Sequence, residues 1–166
     1  TISLFLTAIY TCLKEHKDEM SEDDEDVLPS LRKSLKSKNS PNEMKLVPQV
    51  QNYNLDDFNH LMNSVALRKA SASKHPYYAK RKIARCYNYF LKRIDKEIES
   101  LNDESVVDFL LGKYNKVKQA MLVKIEVSSH SDAYVLFESL NNRGIPLTAI
   151  DLMKNLIMAK AEGNNL

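Results

Sequence analysis

Residues able to do chemistry gather in two places along the chain. The first is Asn141-Asn142-Arg143-Gly144, followed by Asp151 and Lys154. Gly144 permits a positive φ and a close backbone approach by a ligand. Arg143 presents a planar fork of donors that suits phosphate or carboxylate, and Asn141 supplies both a donor and an acceptor. A helix start expected four residues later adds exposed backbone N–H groups that favour an anion. Together these residues suit a nucleotide contact. They equally suit a helix-terminating turn, with Phe137, Leu140, Leu147 and Met153 packing two helices. Asp151 is also the third residue of a capping box begun by Thr148, and Lys154, on the same helical face, can pair with it or reach a phosphate.

The second place is basic. Arg68, Lys69, Lys74, Lys80, Arg81, Lys82, Arg85, Lys92, Arg93 and Lys96 share one segment with Asp95 as the nearby acid, and Tyr77, Tyr78, Tyr87 and Tyr89 interleave. Of these, Lys80, Arg81, Lys82, Arg85, Lys92 and Arg93 are the candidate nucleic-acid contacts. Cations attract a phosphate backbone, and tyrosines can stack on unpaired bases. The plainer reading is the solvated face of an amphipathic helix.

Other chemistries find no support. Cys12 and Cys86 are far apart in apolar surroundings, and His16, His60, His75 and His130 are scattered without ligand-like spacing. No metal site is expected from that arrangement. Ser129-His130-Ser131-Asp132 holds nucleophile-like types, but neighbouring positions do not make a triad. Nucleophile elbow, Walker-type phosphate loop and zincin motifs are all missing.

The elements that must carry these residues are mainly helical. With 166 residues, 43% hydrophobic and 28% charged, the chain has the balance of one globular domain. Three glycines and five prolines are too few for a turn-dense sandwich or barrel. The net charge of +2 averages an acidic run at 18–26, expected as a solvated loop, against the basic segment. Helices are expected over 1–17, with Ile2, Phe5, Leu6, Ile9 and Leu13 on one face, and from an Asn54 cap through Val65. The clearest helix carries Ile83, Tyr87, Phe90, Ile94 and Ile98, after a first turn at Pro76. Another begins at Asn102 or Asp103. Around Leu28, Leu31 and Leu35, a short helix and an irregular segment are both open. Met121 to Val127 is expected as a strand, with Val123, Ile125 and Val127 on one face. Its pairing partner would be the extended Leu46–Val50 or sequence outside the chain. The expected class is therefore mainly α, a bundle-like fragment of an α+β domain with one or two short strands. It divides into a helical region, 1–120, and a strand-helix-turn-helix region, 121–166, of a single partial domain. An opening of Thr1-Ile2-Ser3-Leu4, without methionine, reads as part of a larger protein.

From Ala133-Tyr134-Val135-Leu136-Phe137 through Asn141-Asn142-Arg143-Gly144 to Leu147 and Asp151-Leu152-Met153-Lys154, the chain resembles the GmrSD-type restriction-endonuclease N-terminal domain family. The preceding Leu122–Val127 segment keeps the family's order. Val47-Pro48-Gln49, then Asp56, Asp57 and Phe58, and the helix of Ile83, Tyr87 and Phe90 are weaker echoes. The resemblance implies a nucleotide-hydrolysing module related to the ParB/sulfiredoxin fold, often joined to an HNH-type nuclease domain in the same or a partner chain. It implies an NTP with a divalent cation as cofactor, DNA with modified bases as target, and a cytoplasmic, type IV-like restriction or anti-phage role. The family's aspartate–glycine–glutamine–glutamine–arginine motif is not in this sequence, and Thr1-Ile2-Ser3-Leu4-Phe5 resembles the residues that follow it. The chain is therefore expected to be inactive alone, within a parent that is an NTP-dependent DNA endonuclease. Two alternatives are a non-catalytic nucleic-acid-binding module using 68–96 and a structural or interaction domain.

Overall fold

The computed structural model describes residues 1–40, 42–48, 53–69, 76–102 and 105–121, together with 123, 125, 126, 136, 139 and 153. The chain divides into two compact units, Thr1–Ala120 and Met121–Leu166. The first is helical. Its described α-helices are α1 (Ile2–Glu15), α2 (Val27–Leu35), α3 (Asn54–Ser64), α4 (Lys82–Glu99) and α5 (Val106–Gln119).

α1 is the hub. It packs against α2, α4 and α5, and a helix surrounded in this way must be apolar over most of its circumference. Leu4, Thr7, Ala8, Ile9, Tyr10, Cys12 and Leu13 are buried, a wider arc than the single expected face, whereas Ile2 at its start is exposed. The buried Thr7 hydroxyl donates to the Ser3 carbonyl at 2.7 Å, so its polarity is met within the helix. Thr11 and the Tyr87 hydroxyl share a hydrogen bond of 2.9 Å, which joins α1 to α4. Phe5 and Phe90 add a tilted ring contact at 5.1 Å between centroids. Burial pushes the Cys12 thiol up to about 12, with the Asp95 and Glu15 carboxylates acting in the same direction, so it stays an unreactive core thiol.

The acidic run differs from the expected loop. It forms two 3₁₀ turns, Lys17–Glu19 and Glu22–Asp24. Ser21 explains the second, since its amide and hydroxyl both donate to the Asp24 carboxylate, at 3.3 and 2.6 Å. Short polar side chains bonding to nearby groups favour such turns over a longer helix. The open question around Leu28 resolves as α2, with Pro29 tolerated in its first turn. Leu31 and Leu35 enter the core.

After α2 the chain turns back on itself. The Ser37 amide donates to the Glu43 carbonyl and the Lys45 amide to the Leu35 carbonyl, both at 2.9 Å, around an isolated antiparallel bridge between Lys36 and Met44. This bridge is the extent of β pairing among the described residues; Leu46 to Pro48 join no strand. Helix starts also shift from expectation. Tyr53, not Asn54, caps α3, and the Ser105 hydroxyl caps α5 by accepting from the Asp108 amide at 3.4 Å. Pro76 leads into a turn and a 3₁₀ segment, Tyr78–Lys80, and α4 begins only after Arg81, whose extended backbone separates the two.

The expected stripe on α4 is confirmed. Tyr87 and Ile94 are buried, and Ile83, Phe90 and Ile98 pack against the core. Glu97 ties α4 to α5 by accepting from Lys113, and it also accepts from Arg93 at 2.8 Å. These two cations, Lys113 first, hold its carboxyl below the ordinary range.

In the second unit, Met121, Val123, Ile125 and Glu126 lie outside any strand, and the first three are exposed. The remaining positions of the expected strand and Ser129-His130-Ser131-Asp132 lie outside the described residues. Leu136, Ser139 and Met153 are helical. The described residues are thus mainly helical, as the composition requires.

Candidate nucleic-acid interface

The basic segment acquires its geometry from two chain breaks that precede helices. Tyr53 and Tyr77 both take a left-handed backbone, φ 63° and 60°. A bulky residue in that conformation is strained by about 1–3 kcal/mol. Each conformation turns a tyrosine outward, 57% and 78% exposed, directly ahead of a helical segment. Neither is legible in sequence, because neither position holds the glycine or asparagine that usually marks a positive φ.

Each ring meets a cation. The Arg81 guanidinium carbon lies 4.6 Å from the Tyr53 ring centroid, and the Lys80 ammonium lies 6.0 Å from that of Tyr77. Both fall within the range of a cation–π contact. Tyr53, Asn54, Lys80, Arg81, Lys82 and Arg85 line one hollow of about 500 Å³ between the starts of α3 and α4. Four of the six candidate cations are therefore brought together.

Asp57 anchors this arrangement from below. It is 1% exposed, and its Oδ2 accepts from Arg81 Nε at 2.6 Å. Its Oδ1 is buried and finds no donor among the described residues. The sequence presents Asp57 as one of two carboxylates favoured by a helix start; the structure puts it in the core, holding a cation 24 residues away. Arg81 is correspondingly only 24% exposed, so one face of the hollow is fixed rather than mobile. Burial, then Asp57 and Tyr87, pushes the Tyr78 phenol up to about 12. Its ring stands edge-on to His60 at 4.7 Å, and Arg68 donates to Asn59 on the same helix, α3.

From the hollow onward, Lys82, Arg85, Tyr89, Lys92, Arg93 and Lys96 recur at helical spacing and occupy about a third of the circumference of α4. All six are exposed, and Tyr89 retains 63% of its surface. Lys92 and Arg93 thus share a face with the hollow without lining it, and Arg93 already holds Glu97. Tyr87 points the other way, into the core.

Asn141, Asn142, Arg143, Gly144, Asp151 and Lys154 lie outside the described residues. The described residues contain no group of three or more His, Cys, Asp or Glu side chains suited to a metal ion, so none of them is assigned to one. No described helix is long and apolar enough to cross a membrane.

A family model described as GmrSD restriction endonuclease, N-terminal domain, matches residues 1–158. No curated protein and no solved structure matches the chain.

Proposed function

The chain belongs to the GmrSD restriction endonuclease N-terminal domain family, and from that premise we propose that the hollow ahead of α4 and the basic face continuing from it contact the phosphate backbone of DNA. Membership makes the chain a module of a restriction protein, a class whose substrate is DNA. One observation carries the reading onto particular residues. Lys80, Arg81, Lys82 and Arg85 converge with the exposed ring of Tyr53 on a single concave surface, one of them held there by a buried carboxylate. A merely solvated helical face requires neither the concavity nor the anchor. Cations at this density attract a polyanion, and Tyr53, Tyr77 and Tyr89 offer ring surfaces beside them.

The test is a fluorescence anisotropy titration against duplex and single-stranded DNA over a range of salt. Lys82→Glu, Arg85→Glu and Lys92→Glu combined should weaken binding about thirtyfold at low salt and lower the salt slope by roughly two to three. All three side chains are exposed, so the fold should be unaffected. Equal affinity in wild type and variant would refute the assignment.

The nucleotide reading remains part of the proposal, supported by the ordered pattern from Phe137 to Lys154 that the family resemblance rests on. In it, Asn141, Asn142, Arg143 and Gly144 meet a nucleotide with its divalent cation, and Asp151 and Lys154 support them. In the protein that contains this chain, Arg143→Ala should reduce nucleotide turnover about tenfold or more, the loss expected for a charge-assisted contact. Unchanged turnover in that variant and in Asn141→Ala would remove the loop from the nucleotide site. Modified DNA bases as the target, and a nuclease domain as the cutting partner, complete this reading.

A further inference from the structure

The aromatic rings of the first unit are sorted by where they lie. Tyr10 and Tyr114, away from the basic segment, are buried, and Phe5, Phe58, Phe90 and Phe109 all belong to the core or pack against it. Within the basic segment two tyrosines follow the same rule. Tyr87 is buried and bonded to Thr11, and Tyr78 is half-buried beside His60. Among the described residues, the rings left largely exposed are those of Tyr53, Tyr77 and Tyr89, and each of them stands beside cations.

Charge alone does not account for this sorting. Lysine and arginine suffice to hold a phosphate backbone, and an exposed ring beside them forgoes the gain that burial would bring. Tyr77 also keeps a left-handed backbone, which bulky residues rarely adopt, with no burial of its ring to offset it. Its described ring contact is with Lys80, at 6.0 Å, the outer limit of a cation–π pair. Tyr89 meets Phe90 at an interplanar angle of 64°, so the two rings do not lie face to face. Arg85 precedes Tyr89 by four residues and Lys92 follows it by three, so cations flank the ring on one helical face. Lys82, which lines the hollow, lies two turns back along α4, about 10 Å away.

We infer that this face takes single-stranded DNA in preference to duplex, its unpaired bases stacking on Tyr77 and Tyr89 while the cations hold the phosphates. The inference rests on the DNA contact proposed above and adds the strand form that the site selects. Every base has a π-face, but in a duplex those faces are covered by neighbouring pairs, so only an unpaired strand can use exposed rings. A duplex carries the denser charge, and electrostatics alone would favour it. The Tyr53 ring is engaged by Arg81 and helps to hold that cation in place.

Anisotropy titration of the full chain with a labelled oligothymidine of about sixteen nucleotides, and with a duplex of the same length, is the experiment. The single strand should bind at least about tenfold tighter. Tyr77→Gly with Tyr89→Ala should remove that preference, weakening the single strand about tenfold or more and leaving the duplex unchanged within about twofold. Glycine accepts the left-handed backbone at position 77, so the turn is kept without the ring. Tyr77→Phe with Tyr89→Phe keeps both rings and should bind as wild type. Duplex binding as tight as single-strand binding overturns the inference, as does a ring-deleted variant that weakens both forms equally or neither. Those results leave the phosphate contact standing, because Lys82→Glu, Arg85→Glu and Lys92→Glu combined would still weaken both forms. If that charge reversal changes neither, the DNA contact itself fails, and the strand preference with it.

Discussion

Arg81→Ala should lower the unfolding free energy by about 3 kcal/mol, the loss expected when one member of a buried ion pair is removed. The reason lies in what remains behind. Asp57 is almost wholly buried, and its Oδ1 already lacks a donor among the described residues. Removing the Arg81 bond at 2.6 Å takes away the partner of Oδ2 as well. Its neighbours behave differently. Lys82→Ala and Arg85→Ala, exposed and outside this pair, should each shift stability by no more than about 0.5 kcal/mol. Urea denaturation of the three variants separates these outcomes. A double replacement, Asp57→Leu with Arg81→Met, should recover most of the loss, because it removes the buried charge together with its partner. If Arg81→Ala is no worse than Lys82→Ala, the pair does not hold the hollow in place. Arg81 thus has a structural task besides any contact with DNA, and a binding assay on Arg81→Ala alone would confuse the two.

Leu13→Ala should cost about 3 kcal/mol, or roughly 10 °C in Tm. Leu13 is fully buried in α1, the helix on which α2, α4 and α5 all converge. Truncation there leaves a cavity whose walls belong to several elements, so no single helix can move in to fill it. The exposed Ile2 on the same helix provides the comparison: Ile2→Ala should fall within about 0.5 kcal/mol of wild type. Thermal unfolding followed by circular dichroism reads both. Equal effects would mean that α1 is not the centre of the packing.

What the sequence made legible was mostly local. The stripe from Ile83 to Ile98 encodes a helix and its buried side in residue spacing alone, and the opposite face of α4 follows from the same arithmetic. α1 was legible as a helix, but its burial was not, because a spacing rule assumes one neighbour and α1 has three. The helix starts moved by a residue or more wherever a positive φ or a 3₁₀ turn intervened, as at Tyr53 and before Lys82. Such backbone states depend on tertiary contacts that side-chain type does not announce. The acidic run reads as charge and therefore as loop, yet Ser21 and Asp24 organise part of it through bonds between close neighbours. Within the candidate interface, the cations were evident from composition. Tyr53, Asn54 and Asp57 were not, since they enter the site from 24 or more residues upstream of Arg81. The one available signal was an aromatic residue followed by an acid pair at the start of α3. Met121, Val123, Ile125 and Glu126, the described positions of the expected strand, join no strand, because alternation of apolar residues fixes a face but does not supply the pairing partner.

The central place of α1 also bears on how the chain is made. Its buried residues lie within positions 4–13, yet the helices that cover them from the far side, α4 and α5, extend to Gln119. During synthesis α1 emerges before the helices that enclose it and waits for most of the unit before it can be covered. Contacts so distant in sequence form slowly, and until they form an apolar surface stays open to aggregation. Chaperone dependence and recovery after dilution from denaturant should therefore be set by the arrival of the last two helices, not by the speed at which the first one coils.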